Sequence, residues 1–191
     1  TRDEVIRREL RQMEGTWYSI KDINRSKQRL NLLGFFSDVI INTNTVPGAP
    51  DQVDLEVKVV ERMTGNFTVG MGFSSTDKLL LQLGLSQNNF MGTGNSLGFT
   101  VSSGKINETY EINYTNPYAT DDGVSRTYKL GKRDTDVSSL VVSAFSTSTS
   151  SGSVTFGVPL TEYDRIYYGL GVEATQITLG ANPTAEYEEF V

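Results

Sequence analysis

The stretch NFTVGMGFSS, residues 66–75, alternates between two kinds of side chain. Phe67, Val69, Met71 and Phe73 share one parity; Thr68, Gly70, Gly72 and Ser74 share the other. A period of two is the mark of a β-strand. One face of this strand is apolar and the other is nearly bare. Taken alone, its glycines signal a bulge or a close backbone approach.

The same alternation continues to the right. In LLLQLGLSQ, Leu79, Leu81, Leu83 and Leu85 oppose Gln82, Gly84 and Ser86. In NSLGFTVS, Leu97, Phe99 and Val101 oppose Gly98, Thr100 and Ser102. ETYEINYT, VSRTYKLG, SVTFGVPL and RIYYGLGVEAT follow, separated by turn residues in NNFMGTG, NPYATDDG and TEYD. About seven segments of this kind predict an antiparallel sheet or barrel. A Ser/Thr-rich stretch from Asp134 to Ser153 reads as a long connection. The polar parity carries mostly Gly, Ser, Thr, Asn and Gln, where a soluble sheet would carry Lys and Glu. Aromatic residues gather near segment ends: Phe67, Phe73, Phe90, Tyr114, Tyr118, Tyr163, Tyr167 and Tyr168. Apolar outside, small and polar inside, aromatic at the margins favours a transmembrane barrel. A soluble β-sandwich is the other reading of the pattern. Seven strands are too few to close a barrel, so the segment is expected to belong to a longer chain.

To the left of Asn66 the period changes. TRDE, residues 1–4, fits a capping box, and Ile6, Leu10 and Met13 then repeat at helical spacing up to Gly15. A second helix is expected from a Ser19 cap to Leu33, with Ile20, Ile23, Leu30 and Leu33 on its apolar face and Gly34 as its stop. SDVIINTNTV and QVDLEVKVV read as two strands around VPGAPD. The first part is thus a small α+β unit.

Composition narrows the function. The chain of 191 residues has a net charge of −6, no Cys and no His. An acidic balance argues against nucleic acid as the main partner. Without Cys there is no thiolate metal site, and without His no Ser-His-Asp hydrolase can be built from these residues. No run of about eighteen apolar residues is present, so no spanning helix is expected. No cofactor, metal site or catalytic residue is assigned. Glu108 and Glu111 lie close in sequence, which is weak support for acid/base chemistry.

RRELRQMEGTW, RLNLLGFFSDV, VPGAPDQVDLEVKVVERMTGNF, LGLSQNNFMGTG, TNPYATDDGVS and GVPLTEYDR, in this order, resemble the BamA family. These are central subunits of the outer-membrane barrel assembly machinery of Gram-negative bacteria. The resemblance implies that residues 1–62 are the last periplasmic POTRA domain, lacking its first strand. It implies that residues 66–191 are the first part of a transmembrane β-barrel, about seven strands in the bacterial outer membrane. The implied activity is non-enzymatic: folding and insertion of other barrel proteins. The first strand, Asn66, Phe67, Thr68, Val69, Gly70, Met71, Gly72 and Phe73, would offer its edge to client strands. Phe67, Val69 and Met71 would face lipid or client, and Gly70 and Gly72 would allow close backbone approach. The implied partners are the lipid bilayer, client outer-membrane proteins and accessory lipoproteins, with Glu14 contacting BamD. The alternative is a POTRA-barrel secretion pore of the two-partner type.

Overall fold

A computed structural model describes residues 1–75, 77–137 and 145–179. They fall into two compact units. One comprises Thr1–Thr64 with Asn88–Gly94; the other comprises Gly65–Gln87 and the chain from Asn95 onward.

The first unit contains α1 (Asp3–Arg7), α2 (Ile20–Leu32) and an antiparallel pair, β1 (Phe36–Val46) and β2 (Ala49–Glu61). α2 starts as its sequence predicts: the Ser19 side chain accepts a hydrogen bond from the Asp22 N–H at 3.3 Å. Gly34 follows it with φ +69°, a left-handed conformation that suits glycine. Val5, Leu30, Phe35, Phe36 and Val39 form the core, and Ile6, Leu10, Leu33, Val57 and Val59 pack around it. Burying each of the larger apolar side chains contributes about 1.5–3 kcal/mol. Ile20, expected on the apolar face, is exposed.

The first helix is much shorter than its periodicity predicts, and Thr1 does not cap it. The cap position is Arg2, without a side-chain hydrogen bond. Thr1 instead accepts from the Asn89 side chain at 2.7 Å. Tertiary contacts end the helix. Glu9 and Leu10 donate back to Ile6 and Arg7, the tight three-residue spacing of a closing turn. The Arg11 N–H donates to the Ser26 hydroxyl of α2 at 2.7 Å, so it is lost to the helical ladder. The chain then loops to Ser19, held by Gln12, which bonds Thr16, Trp17 and Ser19. Gly15 lies within this loop, not at a helix end.

The second unit is one antiparallel sheet in sequence order: β3 (Gly65–Ser74), β4 (Lys78–Gln87), β5 (Ser96–Ser103), β6 (Asn107–Asn116), β7 (Ser125–Asp136), β8 (Phe145–Pro159) and β9 (Arg165–Leu179). β7 and β8 reach further than expected. Asp134 pairs with Ser148 and Lys132 with Ser150, so most of the Ser/Thr-rich stretch is strand; residues 138–144 lie outside the described residues. Main-chain pairing needs no apolar side chain, and short side-chain bonds support it. The Ser148 hydroxyl donates to Asp134 at 2.5 Å, and the hydroxyls of Thr149 and Thr175 lie 3.1 Å apart.

Register aligns the two parities across the sheet. Phe67 pairs with Leu85, Leu85 with Phe99, Phe99 with Ile112, and Ile112 with Leu130. The other face runs from Gly84 through Thr100, Glu111 and Gly131 to Ser151 and Glu173. The far limit of the apolar face is set by Phe73, Leu79, Val101, Tyr110, Leu130 and Val154. Leu79 pairs with Phe73, but Val101 pairs with Leu83, Leu130 with Ile112, and Val154 with Tyr128. The limit therefore steps toward the Gly65 end from β3 to β8; in β9 it moves back one same-face position, to Val172 paired with Gly152. An apolar band oblique to the strands is expected of a tilted barrel wall.

Candidate functional site

β3 is bonded to β4 along its whole length and forms one edge of the sheet. Its ladder to β4 is unbroken from Gly65–Gln87 to Ser74–Lys78, so its glycines do not mark a bulge. Nor does β4 require them. A Cβ at Gly70 would lie 3.4 Å from the Gln82 Cβ, and one at Gly72 3.8 Å from the Leu80 Cβ; both fit or nearly fit. Other glycines are held by packing: a Cβ at Gly157 would meet the Ser125 hydroxyl and the Tyr167 ring, both at 2.5 Å. Gly70 and Gly72 thus act through the strand's own backbone, which glycine leaves weaker and thinner.

Phe67, Val69, Met71 and Phe73 are all exposed, from 62 to 79 %. Asn66 and Thr68 lie on the opposite parity with Gly70 and Gly72. Protein edges are normally protected by Lys, Pro, bulges or covering loops. β3 has no Lys and no Pro, and its register is regular. Among the described residues nothing pairs with its outer edge. Unpaired main-chain groups on a strand edge are, in general, a template for another strand.

Glu14 lies in the other unit, in the loop after α1, with its side chain 90 % exposed. Arg7 reaches it: Nη1 donates to the Glu14 carboxylate at 2.9 Å, and Nε donates to Asp3 at 2.5 Å. Asp3, and after it Glu14, raise the Arg7 pKa above its usual value. Glu14 belongs to the first unit and β3 to the second.

Tyr167 does not share the outer face with Tyr168. The two are consecutive in a strand and point to opposite faces. Tyr168 stacks on Phe156, with centroids 5.5 Å apart, whereas Tyr167 covers Gly157. The turn NNFMGTG carries more than a reversal. Asn89, Met91, Gly92 and Gly94 all have positive φ. The Asn89 side chain accepts from the Gly94 N–H at 2.8 Å, and the Gly92 carbonyl accepts from the Arg2 N–H at 2.8 Å. This turn between two strands of the sheet folds as part of the first unit. Its two glycines and Asn were the only local sign of such strain.

Among the described residues no helix is long and apolar enough to cross a membrane, which says nothing about spanning strands. No group of acidic residues among them could hold a metal ion.

Comparison with known proteins places this geometry. The Omp85 superfamily domain matches residues 89–190, and a POTRA domain, described as a surface antigen variable number repeat, matches residues 1–62. Outer membrane protein assembly factor BamA of Neisseria meningitidis is 37% identical over 193 aligned positions, covering 100% of this chain and 24% of that protein. Outer envelope protein 80 of rice chloroplasts is 30% identical over 62% of this chain and 18% of its own length. The chain thus spans about a quarter or less of these relatives. Among solved structures, BamA from Haemophilus ducreyi lacking POTRA domains 1–3 superposes with a TM-score of 0.82 at 36% identity, over 93% of this chain and 34% of that one. CdiB from Acinetobacter baumannii superposes at 0.63 over 92% of this chain and 36% of its own, with 15% identity, a likeness of fold alone.

Proposed function

The chain belongs to the Omp85 superfamily, an α+β POTRA module followed by antiparallel strands of a partial barrel, and on that footing we propose that it serves in folding and inserting β-barrel proteins into the bacterial outer membrane. Residues 1–62 act as the last POTRA domain, in the periplasm and lacking its first strand. Residues 66–191 are the first strands of the barrel, with the apolar face in lipid.

The observation that carries the function is the 37% identity to the assembly factor BamA along the whole chain, with β3 as the first strand of the sheet and free of the Lys, Pro or bulge that guard an edge. In hydrocarbon an unpaired backbone group costs several kcal/mol, because no water can replace its partner. An opened β3 edge is therefore under strong drive to pair, and a client's terminal strand can satisfy it. Main-chain pairing makes little demand on side-chain identity, which suits a machine with many clients. The glycines keep the strand thin and loosely held. A secretion pore of the two-partner type would share the fold, and the 15% identity to CdiB supports that fold alone.

The test is Val69→Cys in the full-length protein, paired with Cys in the terminal strand of a client stalled during assembly. A disulfide is expected at β3 and not at Leu83→Cys in β4. A folded variant that gives no crosslink at β3 would sink the template. Glu14 is proposed as the contact for the lipoprotein BamD through a basic side chain on that partner.

A further inference from the structure

Arg126 stands on the apolar face of β7, in line with Tyr128 and Leu130. In register it pairs with Asn116 on one side and Phe156 on the other, and Phe156 pairs with Tyr168. Val158 and Ile166 continue the apolar face toward the near end of β8 and β9. A guanidinium is therefore set among aromatic and aliphatic side chains, on the side that meets lipid.

Its surroundings leave the charge half satisfied. The guanidinium carbon lies 5.4 Å from the centroid of the Tyr128 ring, within cation–π range. Its Nε is buried and has no hydrogen-bond partner. Among the described residues no carboxylate pairs with it, and Asp134 of the same strand is taken by Lys132 and Ser148. An ionised side chain on a membrane face must find a counter-ion or reach the headgroup layer. The guanidinium fork matches phosphate oxygens, and aromatic rings favour the same interfacial depth.

We propose that Arg126, with the rings of Tyr128, Phe156 and Tyr168, binds the phosphate of a phospholipid in the leaflet at the Gly65 end of the sheet. The proposal rests on the membrane-barrel reading above. The guanidinium takes the phosphate while the rings pack on the glycerol and upper acyl carbons. The site fixes one lipid beside β7–β9.

The test uses the full-length protein in phosphatidylethanolamine–phosphatidylglycerol vesicles, with a trace of phosphatidylethanolamine carrying a photoreactive headgroup. Labelling is expected to concentrate on residues 125–130. It should fall about fivefold in Arg126→Gln, as expected for about 1 kcal/mol per basic residue at an anionic surface, and persist in Arg126→Lys. Excess inorganic phosphate should leave it unchanged; competition would make this a free-phosphate site and overturn the lipid assignment. Equal labelling of Arg126→Gln overturns the proposal. So does wild-type labelling at 125–130 no higher than at the starts of β3 and β5, a result that needs no variant. Release of the wild-type protein from vesicles by alkaline carbonate would instead overturn the membrane reading itself.

Discussion

Glu9 is buried in the first unit with Arg29 of α2 at 2.7 Å. Removing one partner of such a pair leaves a charge without compensation, at about 3–5 kcal/mol. Glu9→Ala should therefore lower the urea midpoint of the first unit by far more than Glu4→Ala, whose carboxylate is exposed. Glu14 is the opposite case. Its ion pair with Arg7 is exposed and screened by water, so Glu14→Lys should leave thermal stability nearly unchanged. The same variant should weaken co-purification of the BamD lipoprotein; undiminished recovery would count against the contact. The glycines divide in the same way. Gly70→Ala should be neutral or stabilising by about 0.5–1 kcal/mol, since the strand has room for a Cβ. Gly157→Ala should cost about 1–3 kcal/mol through the clash with Ser125 and Tyr167, measurable as a lower denaturation midpoint in detergent micelles. Residue types alone could not separate these glycines, because the neighbours that distinguish them lie on other strands.

At the scale of elements, parity was the most legible feature. Period two in LLLQLGLSQ already put Leu83 and Gln82 on opposite faces, and the register keeps Leu83 between Val69 and Val101. Leu83→Arg should thus cost about 2–4 kcal/mol if that face meets lipid, and Gln82→Arg little. Equal costs in a refolding titration would reject the assignment of faces. α2 was equally legible, because its cap and stop are local: Ser19 bonds Asp22, and Gly34 supplies the left-handed turn. α1 was not, because the group that diverts Arg11 is Ser26, on another helix. The reach of β7 and β8 was hidden for a related reason. Apart from Phe145 their outer ends are polar on both faces, so no period marks them, and only cross-strand pairing does.

At the scale of the whole molecule, the oblique limit of the apolar face carries a prediction of its own. If the band lies in a bilayer, the strands should tilt by about 35–45° from the membrane normal, as in barrels of this class. Polarised infrared spectroscopy of oriented bilayers would show this in the amide dichroism, and strands near-parallel to the normal would contradict it. The sequence by itself determined the two halves, the two faces of the sheet, the approximate strands and the second helix. Each of these is written in intervals of two to four residues, the distances over which a strand or helix repeats. The tertiary structure alone decided where α1 ends, how far β7 and β8 run, which glycines are fixed by packing, and that the turn 88–94 folds with the first unit. Those outcomes depend on groups far apart in the chain, such as Arg11 with Ser26 and Asp134 with Ser148, and no local period records a distant partner.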